Sequence, residues 1–296
     1  MAQSKTATGA VDAGLSPPAR PAPIGRDGRR TGKPKPKAVH RRSRRTRLGA
    51  TTVLSLMAVW EVAARTGLLP EEVPPVTDIA AWLAENATTA VFWEAVGYTM
   101  LQWLVGVSIG VVCGVTLGFA VAMVPLLERL LRLPLEFIRP IPSIVYLPLM
   151  LLLFGATSQT AIMVISVGVF FPMLYQTTYG LRGVDPVAVE TARVYGLSTV
   201  QRIFMVTLPS ALPSIATGLR LAVSVALIIA MAVQLTAGVP GLGSRLVAYQ
   251  TNGVYPAIYG IVATSGLLGL LVVRLFEFVE RRMLRWHEPY RPGGAA

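Results

Sequence analysis

The chain has 296 residues, of which 53% are hydrophobic and only 14% are charged, and its formal net charge at pH 7 is +12. This composition is too apolar for an ordinary soluble domain and predicts an all-helical integral membrane protein. The single Cys113 excludes a disulfide framework, and the only histidines, His40 and His287, lie in basic end segments. Histidine-based metal or catalytic-triad sites are therefore excluded from the membrane part.

Residues 1–47 are rich in Pro, Gly, Ala, Arg and Lys, and they hold 13 of the 27 basic residues. Such a segment cannot bury enough apolar surface to offset its ordering entropy, so we predict a disordered basic cytoplasmic tail. Nucleic-acid binding is one interpretation of the basic run that ends at Arg47. Contact with anionic lipid is favoured over nucleic acid, because a hydrophobic span begins directly at Leu48.

All four lysines, Lys5, Lys33, Lys35 and Lys37, lie in this tail. The phosphate-binding sequence GxxxxGK[ST] is therefore impossible in the rest of the chain. If ATP drives this protein, ATP and Mg²⁺ must be bound by another chain, and we expect no cofactor in this one.

Six membrane spans are predicted within residues 48–285, followed by a cytoplasmic tail over 286–296. They cover about 48–64, 98–124, 140–154, 160–179, 213–237 and 256–279. Residues 125–139 are predicted to be a short connection, and Pro142 and Pro148 interrupt the third span. The second span has glycines at four-residue spacing, which predict a close-packed helix face, either within the chain or at a subunit contact: Gly106, Gly110, Gly114 and Gly118.

The distribution of basic residues predicts the orientation. With both termini inside, the outer segments hold only Arg65 and Arg245, and the remaining 25 basic residues lie at or near the inner side. The opposite orientation would reverse this bias, so both termini are predicted to be cytoplasmic, in the inner (plasma) membrane.

Residues 182–220 are the longest stretch after residue 96 that cannot be a span. Asp185 followed by Pro186 predicts a helix start, and Gly196 predicts its left-handed end. Ser198 and Gln201 form a capping box that begins a second short helix. Pro209 is expected to end that helix by Leu208.

This stretch resembles the cytoplasmic loop of ABC importer permeases. Their signature is Glu-Ala-Ala, three residues, Gly, nine residues, Ile, one residue and Leu-Pro. Here Glu190-Thr191-Ala192, Gly196, Val206 and Leu208-Pro209 keep that spacing, with Thr191 and Val206 as small departures. The resemblance covers about residues 70–286. The segments 139–142, 168–172, 217–220 and 241–243 make it most similar to the nitrate, sulfonate and taurine branch.

The resemblance implies a permease working as a homodimer, with two copies of a separate ABC ATPase subunit and a solute-binding protein. It also implies that the loop, residues 182–212 (the coupling loop), contacts the ATPase through a helix between the fourth and fifth spans. The residues expected to shape this contact are Asp185, Glu190, Ala192, Gly196, Val206, Leu208 and Pro209. The alternative is that residues 186–207 form only an interfacial amphipathic helix.

Gln234 is a polar residue in the outer half of the fifth span, where the resembled family more often has glutamate. We predict that Gln234 and Met231, one turn away, border the translocation path, although an interhelical hydrogen bond is the alternative. Tyr146, Ser143 and Phe171 are further path candidates, because they lie near the proline-broken segments.

The resemblance favours uptake of a small anionic or organic solute such as nitrate, a sulfonate or taurine. An ATP-independent channel or secondary transporter is the alternative, but few ionisable residues lie deep in the spans to support ion coupling. An integral-membrane enzyme lacks a credible cluster of His, Asp, Glu or Cys, so we expect no catalytic residues.

Overall fold

The computed structural model describes the backbone of residues 39–283 and the side chains of residues 51–282. Within these residues the chain forms helices and no strand, which confirms the all-helical prediction for the part described. The predictions for residues 1–38 and 284–296 lie outside the described residues. Residues 39–47, assigned to the disordered tail, are helical here, consistent with the good helix propensity of arginine.

Residue contacts divide the chain after Thr52 into two units, and of the first only the beginning of the first helix is described. That helix, α1, covers Val39–Arg65, and the second unit contains its remainder and all later helices. The α-helices that follow are α2 Val76–Asn86, α3 Ala90–Met123, α4 Pro125–Ile138, α5 Leu147–Phe154, α6 Ser158–Arg182, α7 Pro186–Val194, α8 Thr199–Arg202, α9 Leu208–Ala237, α10 Leu242–Thr251 and α11 Tyr255–Met283. A 3₁₀ turn, Ser143–Tyr146, precedes α5, and a π-helical turn, Ile203–Thr207, joins α8 to α9.

Four helices in the described residues are long and apolar enough to cross a membrane: Ala90–Met123, Ser158–Arg182, Thr199–Ala237 and Tyr255–Arg282. They correspond to the second, fourth, fifth and sixth predicted spans. The first predicted span lies in α1, whose side chains are described only from Thr51 onward. The count of six spans therefore stays a prediction.

The third predicted span is part of a bent pair of helices. The segment Ser143–Phe154 is too short to cross a membrane alone. Together with α4, from which it is bent by 87°, it is long and apolar enough to form one broken span or a re-entrant loop. Residues 125–138, predicted to be a connection, form a helix instead. Pro125 lies at the start of α4, where its missing N–H costs nothing, and Glu128 lies in the first turn.

The glycine face of α3 packs within the chain, which supports the first of the two interpretations. A Cβ atom built on Gly110 would lie 2.6 Å from Val169 Cβ, and one built on Gly114 would lie 2.7 Å from Met173 Cβ. Both contact residues belong to α6 and are fully buried. Because these glycines have no side chain, the backbone of α3 lies directly against α6 along this face.

The core of the second unit is formed by α3, α6 and α9, in which α6 packs extensively against both α3 and α9, while α3 and α9 contact each other less. Fully buried apolar residues from α6 and α9, such as Ile165, Met173, Ala226 and Val233, fill the space between them. The coupling loop joins α6 to α9, so it connects two of the three central helices.

Candidate functional site

The coupling loop begins with the predicted cap. The Asp185 side chain accepts a hydrogen bond from the Val187 N–H at 2.9 Å, and Pro186 occupies the first turn of α7. A carboxylate at this position satisfies a free N–H and favourably faces the positive end of the helix dipole. The predicted helix start is confirmed.

Gly196 forms the predicted left-handed helix end, with φ of +76°. The Leu197 N–H donates to the Ala192 carbonyl at 3.1 Å, and the Gly196 N–H donates to the Arg193 carbonyl at 3.0 Å. This pair of bonds is the Schellman motif, which sends the chain away from the helix axis. Ala192 is itself buried, and α7 packs against the π-helical turn that follows.

The capping box is also present. The Ser198 N–H donates to Gln201 Oε1 at 2.8 Å, and the Gln201 N–H donates to Ser198 Oγ at 3.3 Å. These reciprocal bonds begin α8 immediately after the glycine turn.

Pro209 does not end the helix, so that prediction is wrong. The chain stays helical from Thr199 to Ala237 through the π-helical turn, in which the Leu208 N–H donates to the Ile203 carbonyl. A π turn widens the helix by one residue, and Pro209 follows it in the first turn of α9, where its lack of an N–H is tolerated. Val206 and Leu208 therefore lie inside a continuous helix.

The loop presents several exposed apolar side chains. The exposed fractions of Val194 and Tyr195 are 85% and 79%, and those of Phe204 and Met205 are 63% and 66%. Glu190 is exposed as well and forms an ion pair with Arg193, with an N–O distance of 3.0 Å. Exposed apolar side chains on a loop that carries charge are typical of a protein-docking surface.

Gln234 is fully buried and lies in a hydrogen-bond network between α3, α9 and α10. Its Nε2 donates to Gln102 Oε1 at 2.8 Å, and its Oε1 accepts from Thr99 Oγ1 at 3.1 Å and from the Gly243 N–H at 3.0 Å. Gln102 in turn donates to the Pro240 carbonyl at 2.8 Å. This burial favours the interhelical hydrogen bond, the alternative that the sequence left open.

The other path candidates separate into two groups. Ser143 and Phe171 line one cavity of about 490 Å³ between α6, α9 and the 3₁₀ turn. Tyr146 and Met231 are partly buried and are not among its lining residues. Met231 Sδ lies 3.7 Å from the Ser265 hydroxyl, in the packing between α9 and α11.

Sequence reasoning missed the pairing of Arg220 with Glu280. Arg274 and Arg281, which are near Glu280 in sequence, pair with Glu277 instead, at 3.8 and 3.9 Å. Glu280 is buried and forms a salt bridge with Arg220 of α9. The available signal was Arg220 itself, because a charge inside a predicted span requires a partner.

A sequence model of one protein family, described as the binding-protein-dependent transport system inner membrane component, matches residues 106–285. The chain belongs to this family. The match includes the coupling loop, α6, α9 and all four glycines of the α3 face. Members of the family are permease components of ABC transporters, which function with separate ATPase subunits and with solute-binding proteins.

Several permease proteins are similar to this chain over most of their own length. The taurine transport system permease protein of Escherichia coli (strain K12) is 28% identical, over 83% of this chain and 91% of its own. A putative aliphatic sulfonates transport permease protein of the same strain is 31% identical, over 80% of this chain and 90% of its own. The bicarbonate transport system permease protein of Synechococcus elongatus is 30% identical, over 66% and 70%.

Solved structures show the same fold. An inward-facing form of the MetNI methionine ABC transporter matches with a TM-score of 0.58 and 20% identity, over 65% of this chain and 96% of the other. A crystal structure of an amino acid ABC transporter with histidines matches with a TM-score of 0.57 and 23% identity, over 68% and 97%.

Proposed function

We propose that this chain is the permease subunit of an ATP-driven importer that takes up a small solute with an oxyanion group, such as taurine or another sulfonate. Two copies of the chain would form the pore, two ATPase subunits would bind at the coupling loops, and a solute-binding protein would deliver the solute from outside. Both termini would lie in the cytoplasm. ATP and Mg²⁺ would be bound by the ATPase subunits alone.

The observation that carries this proposal is the exposed apolar surface of the coupling loop. Val194, Tyr195, Phe204 and Met205 are all more than 60% exposed, although the loop is rigidly capped at both of its turns. A surface that is both apolar and preorganised fits a permanent protein partner, because binding would cost little loop-ordering entropy. An interfacial helix that lies in lipid would not require this bent arrangement.

The connections of the loop also suit force transmission. Only three residues separate the end of α6 at Arg182 from the start of α7 at Pro186. On the other side, the helix from Thr199 to Ala237 has no break, so movement of α8 would be passed directly to α9. Closure of the ATPase pair would thus shift two central helices and change which side of the membrane the pore faces.

The solute class is proposed from the relatives. The names of the relatives above refer to transport of taurine, aliphatic sulfonates and bicarbonate. These solutes are all small, and each has a negatively charged group that contains oxygen. Nitrate, from the branch that the sequence resembles, has the same chemistry. We expect much of the specificity to lie in the binding protein.

Uptake into proteoliposomes tests the proposal. The full chain, reconstituted with its ATPase subunit and binding protein, is expected to accumulate labelled taurine or ethanesulfonate only when ATP is supplied on the ATPase side. Omitting the ATPase subunit serves as the control and is expected to reduce accumulation to the level of empty liposomes. Undiminished uptake without the ATPase would contradict the proposal and favour an ATP-independent channel.

A further inference from the structure

Two cavities follow one another along α6. The larger, about 590 Å³, lies between α4 and the Arg182 end of α6, and the second is the cavity of about 490 Å³ that Ser143 and Phe171 line. Arg139 and Tyr175 line both cavities. A solute that moves from one cavity to the other would therefore pass these two side chains.

The charges around the larger cavity are paired, with one exception. Its lining holds three arginines and two glutamates. Arg182 pairs with Glu128 at 2.8 Å, and Arg132 pairs with Glu136 at 3.2 Å. In residues 51–282 no carboxylate lies within 4.0 Å of the Arg139 guanidinium. The lining of the larger cavity therefore carries one positive charge, that of Arg139, which no carboxylate pairs with.

Arg139 is held in place by an aromatic ring. Its Cζ lies 4.6 Å from the centroid of the Tyr175 ring, a cation–π contact. The Tyr175 hydroxyl donates to the Leu135 carbonyl at 3.2 Å, which fixes the ring against α4. A cation–π contact uses the face of the guanidinium and leaves its N–H groups available to bind an oxyanion.

Arg139 is exposed and directly follows α4, so its charge is not buried in the apolar core. Tyr175, which it contacts, lies seven residues before the end of α6, so the pair is roughly 10 Å from that end. The exposed guanidinium at the junction of the two cavities is therefore accessible to a solute. Beyond it, the second cavity adds the polar Ser143 and Gln176 to an otherwise apolar wall.

We propose that Arg139 binds the oxyanion group of the transported solute where the two cavities adjoin. Sulfonate, carbonate and nitrate groups all present oxygens that an arginine can hold through two N–H bonds. The inference rests on the proposed function for the identity of the solute. A lipid phosphate offers the same chemistry, and the experiment below separates the two sources.

Charged cysteine reagents provide the test. In a Cys113→Ser background, Ser143→Cys places one thiol in the cavity wall of the full chain in nanodiscs. The rate of its modification by an anionic methanethiosulfonate, divided by the rate with a cationic one, reports the local charge. We expect Arg139→Gln to lower this ratio on the order of fivefold, because one unit of positive charge that lines the same cavity is removed.

Two control variants make the result specific. Arg139→Lys retains the charge and should retain the ratio, which separates a charge effect from a folding defect. Arg129→Gln removes an exposed arginine of α4 that lines neither cavity, and it should leave the ratio unchanged. An equal ratio in Arg139→Gln and in the parent would overturn the proposal.

Added ethanesulfonate identifies the ligand. It should slow modification in the parent and in Arg139→Lys but not in Arg139→Gln, and it should do so equally in nanodiscs with and without anionic phosphatidylglycerol. If anionic lipid alone abolishes the protection, the ligand is a lipid headgroup and the proposal is overturned. The labelling experiment requires neither the ATPase nor the binding protein. If labelling shows no effect of Arg139, the proposed function still stands. If the complete transporter shows no ATP-driven uptake, that result counts against the proposed function alone.

Discussion

Arg220 on α9 and Glu280 on α11 form an ion pair, in which Arg220 Nε donates to Glu280 Oε2 at 3.0 Å. The Glu280 side chain is only 8% exposed, whereas 43% of the Arg220 side chain is exposed. Arg220 lies on the helix that continues from the coupling loop. The pair therefore connects the last membrane helix to the segment that we expect to move.

Removing Arg220 should destabilise the protein more than removing a surface arginine. Arg220→Met removes the Arg220 guanidinium from a buried carboxylate, and we expect a loss of about 2 kcal/mol, since half-exposure of the arginine weakens the usual ~3–5 kcal/mol. The melting temperature in detergent should fall by roughly 4–8 °C. Arg132→Met breaks the exposed pair with Glu136 and should cost about 0.5 kcal/mol or less. Equal melting temperatures for the two variants would contradict this role.

The glycine face of α3 allows a matched comparison on one helix. Gly110→Ala would place its Cβ 2.7 Å from the Ser166 carbonyl oxygen and 2.6 Å from Val169 Cβ, and we expect a loss of about 1–3 kcal/mol. A Cβ on Gly97 of the same helix would meet nothing within 4 Å. Gly97→Ala should therefore be neutral or stabilising by up to ~1 kcal/mol. Thermal unfolding of the two variants in nanodiscs checks the prediction, which fails if Gly97→Ala is the less stable.

Gln234→Ala should loosen the segment at 238–243. It leaves Gln102 Oε1 and the Gly243 N–H without the side chain that they contact, at a cost of about 1–3 kcal/mol, whereas Thr99 Oγ1 keeps its bond to the Ala95 carbonyl. Hydrogen exchange of the Leu242 and Gly243 amides should accelerate. Gln250→Ala, an exposed residue of α10, is the matched control and should leave exchange unchanged.

Gln234→Glu, compared with Gln234→Ala in transport, separates packing from contact with the solute. If both variants fold and take up solute normally, Gln234 has no part in transport.

The left-handed turn at Gly196 has the same geometry as the turn at Gly253, after α10. Gly253, with φ of +68°, ends α10 in the same pair of hydrogen bonds, and neither glycine has an atom within 4 Å of an added Cβ. Valine at either site meets the same backbone strain. We expect Gly196→Val to reduce the ATPase subunit that co-purifies with the permease by roughly tenfold, or ~1.4 kcal/mol. Gly253→Val should leave the amount unchanged, and equal losses would show that the effect is general strain.

The sequence determined the local geometry of the coupling loop well. The caps at Asp185, Gly196 and Ser198 depend only on residues within five positions of each other, and all three are present. The continuation of the helix past Pro209 was missed, because a π turn is an adjustment that propensity does not report.

Contacts between distant helices were beyond the reach of sequence patterns. Gln234 stood out as a polar residue in a span, but its partner Gln102 lies 132 positions away on α3. Glu280 has Arg281 beside it in sequence, but its partner Arg220 lies 60 positions away. Arg139 could be placed near a connection, whereas its contact with Tyr175 required the fold of α4 against α6.

Site-specific crosslinking tests directly whether the coupling loop contacts a separate ATPase subunit. Tyr195 is 79% exposed, so Tyr195→Cys in a Cys113→Ser background places a single accessible thiol on the loop. In membranes that contain the complete transporter, we expect this thiol to crosslink to the ATPase subunit, with a yield that changes when ATP is bound. Thr251→Cys at the end of α10 should give no such product. Absence of a Tyr195→Cys crosslink to the ATPase, with uptake intact, would contradict the account.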